Sequence, residues 1–296
     1  MRPLPKELLH DPVQAGPYRM AMGLTLVTER DWFEIDSLYP SEMAEKRRLL
    51  ANHHTDVFAF TPGSEEACAE ALTMIVAALT THHPDWFSAL DDKLSNHLTG
   101  EVWDLPAENP LELAGRLVQE DFCIVQNRSE GPVFSAGVLC FPSRWRLDEK
   151  IGRPLAQVHG PVPLYADRLA GPVDRFMRHL RPGRIASRLN WSILDDATLF
   201  QPAGKWRMER NDAITAENAG AKLFLRVERQ TLRLLPAGGA VLFGIRVHVY
   251  PLRLVASARL AAAVRALPED TARYKSLPLF QDALLKWLDK TGGAST

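Results

Sequence analysis

The chain has 296 residues, with 35 Lys+Arg against 36 Asp+Glu for a net charge of −1, and is 46% hydrophobic and 24% charged. This composition excludes a disordered or fibrous chain and allows a substantial core. Near-neutral charge supplies no overall electrostatic footprint for nucleic acid or anionic lipid.

In chain order, the first 30 residues read as an extended, Pro-containing lead-in, and Trp32 to Ile35 as a short strand. Glu42 to Leu50 reads as a helix and Asp56 to Phe60 as another short strand. After Pro62-Gly63-Ser64, Cys68, Leu72, Ile75, Val76 and Leu79 form one apolar stripe at the helical period, closed by Pro84. Leu111 to Phe122 is expected to be helical. Phe122 to Gln126 and Val133 to Phe141 read as strands joined by the polar turn Asn127 to Gly131. Helices are expected from Leu147 to Val158 and, from the spacing of Leu169, Val173, Phe176 and Leu180, up to Pro182-Gly183. Asn190-Trp191 falls in an expected strand.

The clearest strand signal lies near the end of the chain. Lys222 to Leu234 and Ala240 to Tyr250 flank Pro236-Ala237-Gly238-Gly239, a hairpin turn. Two helices, Ala256 to Leu267 and Pro278 to Leu288, follow, with Pro278 suited to a first helical position. Strands cluster in hairpins rather than alternating with helices, which predicts an antiparallel α+β fold with no dividing linker.

The longest nearly apolar run, Ala71 to Thr80, is about half a membrane span. The start, MRPLPKELLHDPVQ, shows no apolar signal-peptide core. The expectation is a cytoplasmic protein with no membrane and no nucleic-acid partner. Cys68, Cys123 and Cys140 are too few for a four-thiolate iron–sulfur cluster, and no P-loop or G-x-G-x-x-G follows a strand. The chain therefore shows no standard route of its own to NAD(P)H, ATP or an iron–sulfur centre.

Two groups of residues invite chemistry. His159 sits in QVHGPVPLY, where Pro161 and Pro163 stiffen the backbone and remove two amide donors. A stiff post-helical histidine suits an axial metal ligand; the alternative is a capping or core histidine. On the hairpin, Arg226, Glu228 and Gln230 share a face by the period-2 rule, and with Arg246 and His248 they suggest one polar constellation. Such a face is either a pocket wall, with an arginine polarising an oxidant and a glutamate pairing with a cation, or a solvated face with cross-strand ion pairs.

Read together, MGLTLV near Met22, DWFEID, QEDFCIV from Gln119, CFPSRW from Cys140, EKIGRPLAQVHGPVP, RLNWSI, RVERQTLRLLP, AVLFGIRVHVYPL and Tyr274-Lys275 resemble the haem-dependent oxidative N-demethylases, over roughly residues 16 to 290. The resemblance implies a single haem-binding, PAS-like domain over 1–296, with an antiparallel sheet, flanking helices, an N-terminal extension and C-terminal helices. It implies haem b with His159 as the iron ligand, His248 being the competing histidine. Pro161, Pro163, Asn190, Trp191 and Arg246 would make further cofactor contacts, and Arg226 and Glu228 would be catalytic. The implied activity is oxidative demethylation, with dioxygen, of a small secondary amine such as dimethylamine. Electrons would come from a separate NADPH-dependent reductase carrying FMN and a 2Fe–2S centre, and tetrahydrofolate would sit on a partner chain. The competing functional reading is a non-catalytic haem-binding gas or redox sensor on the same scaffold.

Overall fold

The computed structural model describes residues 3–13, 22–129, 131–163, 165–204, 207, 209–255 and 257–292. Residues 14–21 of the lead-in, Glu130 of the polar turn and the expected helix start at Ala256 lie outside that set. The strands described are β1 (Thr25–Val27), β2 (Phe58–Phe60), β3 (Phe87–Leu90), β4 (Lys93–Asn96), β5 (Glu101–Asp104), β6 (Asp121–Arg128), β7 (Gly131–Val138), β8 (Ile185–Leu194), β9 (Phe224–Leu234) and β10 (Val241–Pro251). Seven form one sheet in the order β1-β8-β9-β10-β6-β7-β2, every neighbouring pair antiparallel. β3, β4 and β5 form a separate antiparallel sheet. The mixed α+β fold expected from the hairpins is present.

The helix Glu65–His82 buries the predicted stripe of Cys68, Leu72, Ile75 and Leu79, and packs with Tyr39–Asn52 and Pro110–Leu117 in the main core. A second core joins Leu225, Val227 and Tyr250 to Leu260, Leu284 and Leu288 of the helices Ser257–Arg265 and Gln281–Gly292.

Several local expectations change. Trp32 to Ile35 is not a strand; the segment lies across the sheet, where Arg229 donates to the carbonyls of Asp31 and Trp32. Arg233 forks onto Glu29 at 2.5 and 2.7 Å and lies 4.1 Å from the Trp32 ring centroid. Side-chain donors thus satisfy the backbone that a ladder would otherwise pair. Leu147 to Val158 is helical only over Leu155–Val158, because Gly152 takes φ +76° and Pro154 precedes the first turn. Pro278 belongs to a 3₁₀ turn, Leu277–Leu279, and the last helix starts at Gln281. The sheet β3–β5 has four-residue strands, too short for an alternation to show.

One buried cation ties the first helix to the sheet. Lys46, wholly buried, donates to the carbonyls of Gly115, Val118 and Glu120 and pairs with Asp121 at 3.2 Å, while the Asp121 carboxylate accepts from the Phe141 amide at 2.6 Å. Lys46→Met leaves that carboxylate buried without its cation, and is expected to lower unfolding free energy by about 3–5 kcal/mol in urea. A loss below ~1 kcal/mol would show that the pair does not support the fold.

Candidate functional site

The register of the β9–β10 hairpin decides which side chains meet. Val241 pairs with Leu234, Ile245 with Gln230 and Val247 with Glu228. Directly opposed residues point to the same face, so even-numbered β9 residues share a face with odd-numbered β10 residues. Glu228, Gln230 and Leu232 therefore stand beside Phe243 and Ile245. The single polar constellation expected from alternation does not form, because Arg246 and His248 point to the other side.

The Glu228 face looks into a cavity of about 320 Å³. Its sheet wall is Cys123 and Val125 of β6, Phe134 of β7, Arg188, Asn190, Ser192 and Leu194 of β8, and the hairpin residues just named. The facing wall comes from residues 155–177: Leu155, Val158, His159, Val162, Tyr165, Leu169, Val173, Phe176 and Met177. Ser143, Arg144, Trp145 and Lys150 close one side, and Tyr274, Lys275 and Ser276 contribute from the C-terminal region. The cavity is thus apolar along the helical wall and polar along β8 and β9.

His159 lines this cavity from the C-terminal end of the Leu155–Val158 turn. Its Nδ1 lies 2.9 Å from the Leu155 carbonyl oxygen, which only accepts, so Nδ1 carries the proton. In that neutral tautomer the lone pair is on Nε2, the arrangement of a metal-ligating imidazole. The ring stacks on Tyr165 with centroids 4.6 Å apart. Pro161 and Pro163 do not line the cavity; they shape the reversal, closed by Val162 N donating to His159 O, that returns the chain to Tyr165.

Glu228 is held by three donors. Ser143 Oγ donates to Oε1 at 2.5 Å, and Asn190 Nδ2 and Gln230 Nε2 donate to Oε2 at 3.2 and 2.8 Å. Burial works to raise its pKa, but the Ser143 hydroxyl, the Arg226 charge and the two amides outweigh it and hold the carboxyl below the ordinary range. Arg226 stands behind this group and not on the cavity wall. Its guanidinium donates to Ser143 Oγ at 2.7 Å and to the carbonyls of Phe141, Pro142, Thr198 and Leu199. It reaches the cavity through Ser143 and Glu228, rather than directly as expected.

Arg246 is on the far face, fully buried, where it pairs with Asp36 and Glu42, each at 2.8 Å. The register therefore turns Arg246, expected as a cofactor contact, away from this cavity. His248 faces the same way, with Nε2 2.9 Å from Glu34, and is not a cavity residue. Asn190 lines the cavity and Trp191 does not; the Trp191 ring lies 5.2 Å from Lys275 Nζ.

Two cavity residues escaped the residue-by-residue reading. Ser143 lacks the G-x-S-x-G context that would single it out in the sequence, yet it links Arg226 to Glu228. Lys275 entered only through the resemblance, and no local pattern marks it. It donates to the Trp191 carbonyl and approaches Asn190 Oδ1 at 3.5 Å. Burial lowers its pKa to about 8 against the pull of the Glu228 charge. Burial and the same carboxylate push the Tyr274 phenol up to about 12.

A protein-family model described as haem-dependent oxidative N-demethylase, alpha subunit-like, matches residues 23–285, most of the chain. The chain belongs to that family. The family function is haem-dependent oxidative N-demethylase-like, and an alpha subunit implies a partner subunit. Among the described residues no helix is long and apolar enough to cross a membrane. The haem that the family requires fits the residues present. The cavity combines an apolar wall, a histidine whose Nδ1–H is engaged, and cationic side chains at Arg144, Lys150 and Arg188.

Lys275 also provides a pH test. The native chain releases this proton near pH 8, whereas the unfolded chain keeps it to about the ordinary value of 10.5. In that window the unfolded state binds more protons, so this group makes stability rise with pH. Wild type should gain unfolding free energy relative to Lys275→Met between pH 8 and 10. Parallel urea curves for the two proteins at both pH values would contradict the burial of this cation.

Proposed function

We propose that this chain is the catalytic haem subunit of an oxidative N-demethylase acting on a small secondary amine of the dimethylamine class. His159 Nε2 would hold the iron of a b-type haem, and the apolar residues of the 155–177 wall would pack against the group. The haem, when bound, supplies the oxidising chemistry that no side chain of the protein can. In the net reaction one N-methyl group leaves as formaldehyde, one oxygen atom of O₂ ends in it and the other in water, and two electrons and two protons come from outside. A flavin and iron–sulfur reductase on other chains, with FMN and 2Fe–2S, fits the three buried, unpaired cysteines of this one. Tetrahydrofolate, as an acceptor of formaldehyde, belongs on a partner as well.

The observation that carries this reading is an ionised carboxylate on the wall of the cavity that also holds His159. A secondary amine is protonated at neutral pH, and taking its ammonium out of water needs such a partner. Glu228 accepts that N–H and positions the methyl group. Ser143, Asn190 and Gln230 fix the carboxylate, and Arg226 fixes Ser143. Lys275, which holds its proton weakly, is placed to compensate Glu228 when no amine is bound. A haem sensor on a PAS-like scaffold has no use for a buried carboxylate so arranged, and the polar wall favours the enzyme.

His159→Ala should abolish haem retention while far-ultraviolet circular dichroism stays native; an unchanged Soret band would remove His159 as the ligand. Glu228→Gln keeps shape and removes charge. In the haem-loaded protein it should leave the Soret band in place, abolish the spectral shift caused by added dimethylamine and lower kcat/KM by about 30-fold or more, equivalent to about 2–4 kcal/mol. An undiminished shift would show that the amine binds elsewhere.

A further inference from the structure

The sheet face opposite the cavity carries a second group of potential ligands. Glu34 lies between two imidazoles: His10 Nε2 is 2.7 Å from Oε1, and His248 Nε2 is 2.9 Å from Oε2. One ligand atom from each of the three residues lies within 4.8 Å of the others. The two rings meet edge to face with centroids 5.3 Å apart, so both ring nitrogens converge on the carboxylate.

We propose that His10, Glu34 and His248 bind one divalent cation of the zinc class on this outer face. Two imidazole nitrogens and a carboxylate oxygen make the three-ligand set of an open zinc site, with water completing the coordination. The absence of a thiolate and the presence of two imidazoles favour Zn²⁺ over the hard cations Mg²⁺ and Ca²⁺. Metal–ligand bonds of about 2.0–2.2 Å require the present N···O approaches to open by a few tenths of an ångström and each imidazole to carry its proton on Nδ1. His248 is fixed in β10, but His10 lies on an irregular segment and its side chain is 21% exposed, which allows both the movement and an entry path.

The charge around the group supports a cation independently of the ligand geometry. Glu29, Glu34, Asp36, Glu42 and Glu120 gather on this side of the sheet with Arg229, Arg233 and Arg246. Carboxyls therefore outnumber arginines among these residues, and burial answers part of the surplus by pushing the Glu120 pKa up to about 7. Glu120 shows the surplus directly. Its Oε1 accepts from the Glu34 amide at 3.0 Å, while its Oε2 is buried with no hydrogen-bond partner. The opposing cost is Arg229, whose Nε lies 3.1 Å from Glu34 Oε1. Arg229 also donates to the Trp32 and Asp31 carbonyls, so in the loaded site it would orient Glu34 as an outer-sphere partner.

The ligands come from three distant parts of the chain, with Glu34 24 residues after His10 and His248 214 residues beyond that. A metal here would clasp the N-terminal segment onto β10. It would stabilise the native state by binding only when all three parts are in place. His10 precedes residues 23–285, so one of the three ligands lies outside the part of the chain that the family model matches.

The test uses the untagged, full-length, haem-loaded chain after dialysis against a chelator and then metal-free buffer. Titration with Zn²⁺ in a calorimeter should show one ion per chain, and a raised unfolding temperature when Zn²⁺ is present. His10→Ala should weaken Zn²⁺ binding by at least about tenfold and remove the thermal shift, with the Soret band unchanged. His10→Gln, which keeps a donor for Glu34 but loses the imidazole, should behave like the alanine variant. Mg²⁺ at the same concentration should give no heat and no thermal shift. No Zn²⁺ binding, or equal affinity in wild type and both variants, would overturn the site and leave the cluster as a hydrogen-bonded clasp.

Discussion

The pairing of Val241 with Leu234 sets the parity on which both faces of the central sheet depend. Because side chains alternate strictly along a strand, this register puts Glu228 and Gln230 beside Ile245 and Phe243, and Arg229 beside Arg246. A slip by one residue would bring Glu228 to the side of Arg246 and His248 and turn Arg229 and Arg233 toward the cavity in its place. The turn enforces the register: Leu235 N donates to Ala240 O at 2.8 Å, and Gly239 adopts φ +66°, a conformation costly for residues with a Cβ.

Given that parity, the cavity can hold an ionised carboxylate away from bulk water because its donors are assembled before any ligand arrives. Three hydrogen bonds and the charge of Arg226 compensate the desolvation of Glu228. Arg226 in turn is locked by four backbone carbonyls from the segments around Phe141 and Leu199, so the acid is braced by two loops that also pair with each other at Ser143 and Gln201. A direct contact between Arg226 and the cavity contents is incompatible with this role, since its donors already face protein acceptors. The opposite wall contributes shape and one well-oriented imidazole, and His159 owes its orientation to a carbonyl four residues back and to Tyr165 stacked on it.

The far face shows the same principle with more charge. Arg229, Arg233 and Arg246 project from adjacent strands and capture the segment from Glu29 to Asp36, which would otherwise have unpaired backbone. The sheet therefore separates two ionic systems that differ in purpose. One faces a cavity and leaves room for a ligand. The other is filled by its own chain and holds the segment that carries Glu34 and, through it, His10.

Much of the element order was legible in the residues, because periodicity is a local property. The stripe in Glu65–His82, the strands around Cys123 and Phe134, and the β9–β10 hairpin with its turn all follow from patterns a dozen residues long or less. His159 stood out because two prolines stiffen its surroundings, and Glu228 and Gln230 shared a face as alternation requires. The pairing of that face was not legible, since a strand pattern says which residues share a side but not which side of the partner they join. Ser143, Lys275, Glu34 and His10 carry no local signal either; each acquires a role only from groups 24 to 214 residues away. The sequence by itself determined the main helix and hairpin signals, the antiparallel class and the family. Tertiary structure alone decided that Arg226 supports the acid, that Arg246 lies outside the cavity, and that two histidines meet across one carboxylate, because register and burial are set by contacts between segments and not within them.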